Sequence, residues 1–438
     1  MKKILLILLD GVADRADQEL GGRTPLEAAA TPNLDRIAAL GASGAMYPLD
    51  PGLAPPSEIP HFHLFGYADE AFPGRTVFEA LGWGVEPPRD VALAHLGMRH
   101  VAPRADGFAI AEWWPGDEEA DCRRLLAEVA RYSAEGLELE VRDLGRSDSL
   151  LVIGGGSEYV TDSDPFFHTG LPVLRVDALE EAPDAGLAAR TARVLNAYLV
   201  WSHGILERHP LNAERRARGA RPLNMLVTKW HGRYRGLPPF EARAGLPGTL
   251  IASTRLYAGL AAALGMRYVQ VDERLDAPDR EVAHKLDAAF TSFQAGAGFV
   301  HLHTKTADEA AHTHSPQFKR DVIAAIDRGL SALWQHPRLL EEFVVAVTAD
   351  HATPSRGPML HSGDSVPFAM AASTVRTDGV KSFGERAAAG GGLGQLRARD
   401  ALPLMLNAAN RVRFLGGRAT PARSLGLPRV TPLRPSDG

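Results

Sequence analysis

Four short segments of the chain carry side chains that commonly bind metal ions. Their residues are Asp10, Asp308 with His312, Asp350 with His351, and His361. Asp308 and His312 are four residues apart, so on a helix they would lie on the same face and could bind one ion together. Carboxylate oxygens combined with imidazole nitrogens suit Zn²⁺, Mn²⁺ and similar divalent ions. The segments therefore predict a metal centre, provided that the fold brings them together.

Each segment also has a simpler structural explanation. Asp10-Gly11 matches a common turn, an Asp and a His four residues apart are often a surface pair, and Asp-His after a strand is often the start of a loop. The metal interpretation is favoured because the candidates follow predicted strands at their carboxyl ends. His301 and His303 alternate along one predicted strand instead, and we interpret both as structural.

The elements that must position these residues alternate between strands and helices. Apolar runs predict buried strands at residues 4–9, 268–271, 299–303 and 343–348. Helical patterns cover residues 249–264, 282–293 and 315–333. Such alternation predicts an α/β fold, with a parallel sheet sandwiched by helices, and ligands bind such sheets beyond the carboxyl ends of the strands.

Two features near the N-terminus indicate local structure. Thr24-Pro25-Leu26-Glu27 has the pattern of a helix capping box with Pro at the first helical position. Residues 48–60 are rich in Pro and Gly and predict an irregular loop. Loops on a rigid scaffold often carry catalytic residues.

The middle of the chain differs in pattern from the two ends. It combines short strand patterns with a helical pattern at residues 118–132, and it ends in a basic run at residues 208–222 that predicts a solvated connection. We therefore expect a smaller α/β cap domain at residues 73–221, inserted into a core domain of residues 1–72 and 222–417. Residues 418–438 are rich in Pro and Arg and predict a poorly ordered tail.

Composition limits the class of protein. The 438 residues are 45% hydrophobic and 23% charged, with a net charge of −5. These values are typical of a globular protein and argue against nucleic acid or a membrane as a partner. A single cysteine, Cys122, excludes an intrachain disulfide, and a cytoplasmic location is expected. The apolar run at residues 4–9 is too short for a signal sequence or a membrane span.

The order of several motifs points to a family. They are Leu9-Asp10-Gly11, residues 21–29, residues 31–35, Pro56-Ser57-Glu58-Ile59-Pro60-His61, residues 161–165, residues 305–312, residues 348–354 and residues 361–364. In this order they resemble the cofactor-independent phosphoglycerate mutases of archaeal type, which belong to the alkaline phosphatase superfamily. The resemblance covers the chain except its tail, and it is dense in the core and thin in the insert.

The resemblance implies an alkaline-phosphatase-like fold and two divalent metal ions, Mn²⁺ or Zn²⁺, with Mg²⁺ and Co²⁺ as alternatives. One ion would be held by Asp10, Ser57, Asp350 and His351, and the other by Asp308, His312 and His361. Ser57 would be the nucleophile and would carry the phosphoryl group during turnover. His61 would donate to the phosphoryl oxygens, and Lys305 would add positive charge to the transition state.

The insert departs from the family pattern. Ala94 and Leu96 stand where the family has an arginine and an asparagine, and Trp113 and Trp114 replace two further arginines. Tryptophan cannot form the two parallel, charge-assisted hydrogen bonds by which arginine binds a carboxylate. We therefore expect weak phosphoglycerate mutase activity, with phosphate release or a preference for another substrate. The candidates for substrate binding are Asp162, Asp164, Lys229, His231 and Lys285.

Three functions stay open on the sequence. The first is interconversion of 2-phosphoglycerate and 3-phosphoglycerate by a metal-dependent enzyme. The second is a phosphohydrolase, or a mutase acting on another small phosphate or phosphonate, and the third is a metal-binding relative without catalytic activity. For an enzyme of either kind, the expected partner is a small phosphorylated metabolite. The sequence does not indicate an oligomeric state.

Overall fold

The structure is a computed structural model that describes residues 1–105, 107–112, 118–144, 148–165, 170–412 and 433–437. The chain divides into two compact units. The core unit comprises Met1–Ala71 and Leu237–Gly438, and the insert comprises Phe72–Gly236. Strands and helices are numbered along the chain through both units.

The core unit is built on an eight-stranded sheet. Its strands are β1 (Lys3–Leu9), β2 (Gly41–Tyr47), β9 (Gly248–Ala252), β10 (Arg267–Gln270), β11 (Phe299–Thr304), β12 (Phe343–Thr348), β13 (Val366–Ala371) and β14 (Gly394–Arg397). Across the sheet they are ordered β10-β9-β11-β1-β12-β13-β2-β14. β1 runs parallel to its neighbours β11 and β12, while β13 is antiparallel to β12 and β2. The expected α/β class is confirmed.

Helices accompany the strands of this sheet. They are α1 (Pro25–Ala28), α2 (Pro32–Ala39), α3 (Glu58–Leu64), α8 (Phe240–Ala244), α9 (Arg255–Ala263), α10 (Pro278–Gln294), α11 (Thr306–Ala311), α12 (Pro316–Leu330), α13 (Leu339–Glu342), α14 (Glu385–Ala389) and α15 (Ala398–Ala408). The central strands β11 and β12 are buried along their whole length, as is typical of parallel strands covered on both faces. The predicted capping box is confirmed, because the Thr24 side chain accepts from the Glu27 amide and the Glu27 side chain accepts from the Thr24 amide.

The insert has its own sheet and hydrophobic core. Its strands are β3 (Ala92–Arg104), β4 (Gly107–Glu112), β5 (Arg131–Ala134), β6 (Leu137–Asp143), β7 (Asp148–Gly154) and β8 (Met225–Arg233), and its helices are α4 (Arg75–Gly82), α5 (Glu119–Glu128), α6 (Ala185–Arg208) and α7 (Pro210–Ala217). β3 pairs with β4, β7 and β8, all antiparallel. One face of β3 packs into the apolar core together with α5 and α6.

Several predicted elements have different bounds in the structure. The helix predicted at residues 249–264 is strand β9 followed by helix α9. The helix predicted at residues 118–132 ends earlier, and β5 begins at Arg131. The basic run predicted to be a solvated connection contains helix α7, in which Arg215 is buried between the carboxylates of Glu118 and Asp121. The loop predicted at residues 48–60 gives way to helix α3 at Glu58.

The second domain boundary also differs from the expectation. We assigned residues 222–236 to the core domain, but the structure places them in the insert. The reason is backbone pairing, since β8 forms a long antiparallel ladder with β3.

Two further expectations concern the predicted tail and the possibility of a membrane-spanning helix. Of the predicted tail, only residues 433–437 belong to the described part, and Pro435–Asp437 form a short 3-10 turn there. Within the described ranges, no helix combines the length and the apolar character needed to cross a membrane.

Candidate metal centre

Three neighbouring strands deliver the predicted ligands to one edge of the core sheet. Asp10 directly follows β1, Asp350 lies two residues beyond β12, and Asp308 lies on α11, which begins shortly after β11. Because β11, β1 and β12 are adjacent and parallel, their carboxyl ends meet at the same edge. The fold therefore brings these segments together, as the alternation of strands and helices predicts.

The first group of candidate ligands contains Asp10, Asp350 and His351, all fully buried. His351 Nε2 lies 3.2 Å from Asp10 Oδ1 and 3.4 Å from Asp350 Oδ2. Ser57 Oγ lies 3.1 Å from the same nitrogen. The four residues that the resemblance assigns to one ion are thus neighbours.

The second group contains Asp308, His312 and His361. Asp308 Oδ1 lies 3.3 Å from His312 Nε2 and 3.9 Å from His361 Nε2. His361 Nδ1 donates to the carbonyl of Pro55 at 2.8 Å, which directs Nε2 towards the carboxylate. Burial, together with the nearby charge of His351, lowers the pKa of His361 to about 4, so its ring is neutral at pH 7.

The two groups lie against each other. The rings of His351 and His361 stack with their centroids 3.6 Å apart. Burial, and then the charge of Asp10, raise the pKa of Asp350 well above its usual value. Burial would also raise the pKa of Asp10, but the charge of Lys305 and the neighbouring His303 and His351 hold it well below the usual value. Burial alone would lower the pKa of His351, yet Asp350 and Asp10 raise it to about 9.

These residues fit divalent cations. Asp10 Oδ1 and Asp350 Oδ2 are buried and accept no hydrogen bond from the described residues. A buried carboxylate oxygen without a donor is costly, and a cation would offset that cost. The donors are carboxylate oxygens and imidazole nitrogens, the mixture that Zn²⁺ and Mn²⁺ accept.

His61 contacts the backbone of Ser57. It is fully buried on α3, and its Nδ1 donates to the carbonyl of Ser57 at 2.7 Å. Burial, and then the charge of His303, lower the pKa of His61 to about 3. His61 therefore holds the backbone of Ser57, and its donation to a phosphoryl oxygen stays a prediction.

Lys305 lies at the second group. Its ammonium donates to Asp308 Oδ2 at 3.0 Å, and its side chain is about one-third exposed. Burial would lower its pKa, but the charges of Asp10 and Asp308 raise it above the usual value. The lysine is therefore cationic at neutral pH and stands beside the candidate ligands.

Sequence reasoning missed His303. Its Nε2 donates to Asp10 Oδ2 at 3.0 Å, and it forms a third group of possible ligand atoms with His61 and Asp350. We interpreted both strand histidines as structural, which omits this contact. The available signal is position, because His303 lies at the carboxyl end of β11 and is paired with Leu8, two residues before Asp10.

Four of the five candidates for substrate binding lie together in the insert. His231 Nδ1 is 3.1 Å from Asp162 Oδ1, and Lys229 Nζ is 3.7 Å from Asp164 Oδ2. Burial, and then the charge of Arg99, lower the pKa of Lys229 to about 8. Arg99, which we did not single out, is fully buried and donates to Asp164 Oδ2 at 2.8 Å.

The structure shows which face of β3 carries the positions where the family has an arginine and an asparagine. Ala94 and Leu96 belong to the apolar core of the insert. Side chains alternate along a strand, so His95 and Arg99 lie on the opposite face. His95 Nε2 is 3.4 Å from Asp148 Oδ2, which places it within the same polar group. The replacements at Trp113 and Trp114 lie outside the described residues.

Lys285 is not available to a substrate. It lies on α10, is fully buried, and its ammonium donates to Glu281 at 2.7 Å and to Glu273 at 3.0 Å. These bonds form a buried ion-pair cluster within the core unit. We correct the prediction that Lys285 binds the substrate, because its ammonium is inaccessible to solvent and is already paired with two carboxylates.

Comparisons with known proteins agree with this geometry. Residues 2–408 match the model of the metalloenzyme superfamily. The 2,3-bisphosphoglycerate-independent phosphoglycerate mutase 2 of Methanocaldococcus jannaschii is 35% identical over 425 residues, which is 95% of each chain. The solved structure of the cofactor-independent phosphoglycerate mutase of Thermoplasma acidophilum has a TM-score of 0.62 at 28% identity and covers 93% of this chain and 100% of its own. A solved protein of Pyrococcus horikoshii has a TM-score of 0.71 at 29% identity and covers 95% and 99%.

Proposed function

The chain belongs to the 2,3-bisphosphoglycerate-independent phosphoglycerate mutases of the metalloenzyme superfamily, and on that premise we propose that it interconverts 2-phosphoglycerate and 3-phosphoglycerate through a phosphorylated Ser57. It is a metal-dependent enzyme. The observation that carries the proposal is the position of Ser57 Oγ, 3.1 Å from a ligand nitrogen of the first group. We further propose that two divalent ions are bound, Mn²⁺ or Zn²⁺, one by each group.

Divalent ions at the two groups would lower the pKa of the serine hydroxyl and stabilise the charge of the transferring phosphoryl group. The chain's own residues supply the rest. Ser57 lies at the end of the loop that precedes helix α3. The hydrogen bond from His61 Nδ1 to the carbonyl of Ser57 keeps this part of the loop in place. Lys305 adds a permanent positive charge beside the phosphoryl site.

The first test is Ser57→Ala. We expect kcat to fall by roughly three orders of magnitude or more, because the nucleophile is lost. The fold should be retained, since the Ser57 side chain makes no capping hydrogen bond to helix α3. Rapid quenching during turnover, followed by mass spectrometry, should detect phosphoserine at residue 57 in the wild type only. Ser331→Ala, at an exposed serine, is the matched control and should behave as the wild type. Full activity of Ser57→Ala would exclude the covalent mechanism.

We propose that the polar group of the insert recognises the non-phosphate half of the substrate. The observation that supports it is His231, whose buried Nε2 has no hydrogen-bond partner in the described part of the chain. Arg99 and Lys229 are buried beside Asp164 and would have to leave that carboxylate to bind a carboxylate of the substrate. Since Ala94 and Leu96 face the apolar core, the absence of an arginine there argues less strongly against a carboxylate-binding site than the sequence alone indicates.

The second test follows the fate of the phosphoryl group. Purified protein loaded with Mn²⁺ is given 3-phosphoglycerate, and both 2-phosphoglycerate and free phosphate are measured. We expect isomerisation to exceed phosphate release, because the chain belongs to a family of mutases. Release of phosphate as the main outcome would instead favour the second candidate, a phosphohydrolase.

A cytoplasmic location remains a prediction.

A further inference from the structure

One threonine hydroxyl lies between the two groups of candidate ligands. Thr353 is fully buried, and its Oγ1 donates to Asp308 Oδ1 at 2.8 Å. The same oxygen lies 3.0 Å from His351 Nδ1. Asp308 belongs to the second group and His351 to the first, so this hydroxyl contacts both.

The protons of this contact can be assigned. A hydroxyl has one proton, and Thr353 gives it to the carboxylate of Asp308, which can only accept. The hydroxyl must therefore accept from His351, so Nδ1 of that ring carries a proton. When the ring is neutral, its Nε2 then presents a lone pair towards Asp10 and Ser57, from which it lies 3.2 Å and 3.1 Å away. That is the tautomer a cation needs, and a hydrogen bond at the second ring nitrogen commonly fixes it.

Lys319 holds the backbone of Thr353 in place. Its fully buried ammonium donates to the carbonyl of Thr353 at 2.7 Å, to the carbonyl of Ala13 at 3.0 Å and to Asp14 Oδ2 at 3.0 Å. Asp14 in turn accepts from the amide and the hydroxyl of Ser355. These bonds tie the segment that follows β1, which carries Asp10, to the segment that follows β12, which carries His351.

Close packing leaves the hydroxyl little freedom. A Cβ atom at Gly11 would lie 2.4 Å from Thr353 Oγ1 and 2.9 Å from Asp308 Cβ. Gly11 also has a φ of +61°, a conformation that favours glycine. The residue next to Asp10 therefore packs directly against the threonine and fixes its distance from the first group.

We propose that Thr353 is a positioning residue that fixes the tautomer of His351 and couples the two cation sites, with Lys319 holding it in place. The proposal rests on the metal centre of the proposed function. It assigns no contact with the substrate to either residue.

The test compares two substitutions of Thr353 in the full-length protein. Thr353→Val keeps the shape of the side chain but removes the hydroxyl, while Thr353→Ser keeps the hydroxyl. Binding of Co²⁺ is measured by calorimetry and by visible absorption, which reports the geometry of the bound ion. We expect Thr353→Val to bind Co²⁺ roughly 10- to 100-fold more weakly, with an altered spectrum, and Thr353→Ser to stay close to the wild type.

Thr191→Val is the matched control, because Thr191 is a buried threonine of the insert that donates to the carbonyl of Leu187. It should bind Co²⁺ as the wild type does. Wild-type affinity and an unchanged spectrum in Thr353→Val would overturn the proposal while leaving the metal centre intact. A wild-type protein that binds no Co²⁺ would overturn the metal centre itself, and the proposal with it.

A second variant tests the tie through Asp14, the carboxylate that accepts from both Lys319 and Ser355. Replacing Lys319 by Met would leave Asp14 buried without its cation and would test folding as well as positioning. Ser355→Ala removes one donor to Asp14 without removing a charge. We expect it to weaken Co²⁺ binding by a smaller factor than Thr353→Val does. Unchanged binding in Ser355→Ala would overturn the role of this tie.

Discussion

At the scale of single residues, the buried carboxylates and histidines of the candidate site shift one another's pKa values. The pKa of Asp350 is raised by burial and by Asp10, and the pKa of the adjacent His351 is raised to about 9 by the same two carboxylates despite burial. Without an ion, His351 therefore tends to keep a second proton at neutral pH. A cation must displace this proton to bind, so ion binding weakens as the pH falls.

Glu385 offers a residue-scale prediction away from the ligands. It is half-buried and accepts hydrogen bonds from the Thr24 hydroxyl and the Asp14 amide. Burial raises its pKa from 4.5 to about 7. A carboxyl whose pKa is raised by folding binds its proton more tightly in the folded state. Protonation of Glu385 therefore contributes fully to the free energy of unfolding below about pH 4.5. This contribution, about 3 kcal/mol, is lost as the pH rises to about 7.

Glu385→Gln should remove this dependence, because the amide can accept from the Asp14 amide and donate to Thr24. Urea unfolding of the variant and the wild type between pH 5 and pH 8 checks it. We expect the variant to gain stability relative to the wild type as the pH rises. Glu241→Gln, at an exposed glutamate, should show no such trend. A constant difference between Glu385→Gln and the wild type across this range would refute the prediction.

At the scale of elements, the sequence predicts the bounds of a strand or helix best where one pattern of apolar residues covers that element alone. The apolar run at residues 343–348 has the length of a strand, and the structure confirms its bounds. Residues 249–264 are different, because the apolar pattern continues through a short strand and the helix that follows it. The structure divides them into β9 and α9.

Long-range pairs are what the sequence could not supply. Arg215 belongs to a basic run that looks solvated, yet Glu118 and Asp121, almost a hundred positions earlier, allow it to be buried. The candidate site has the same limit. Placement at strand ends predicts which ligands meet, but the contact of Thr353 with both groups depends on the packing of the segment after β12 against helix α11. β8 likewise joins the insert through its pairing with β3.

At the scale of the whole molecule, the two units have separate cores, and the candidate ligands all belong to one of them. The ligands lie at the carboxyl ends of β1, β11 and β12 in the core unit. The insert has its own hydrophobic cluster and its own sheet. A divalent ion should therefore stabilise the core unit directly, since it binds the folded site and not the unfolded chain.

Hydrogen exchange with and without Mn²⁺ tests this division. At a thousandfold excess of Mn²⁺ over its dissociation constant, one site adds about 4 kcal/mol to the free energy of unfolding. We expect slower exchange in β1, β11 and β12, where the ligands are anchored, and little change in β3 to β8 of the insert. Asp308→Asn should lose the part of this effect that comes from the second group, because it removes a charge from that group. Equal protection of both units by Mn²⁺, or protection of the insert alone, would contradict a metal centre confined to the core sheet.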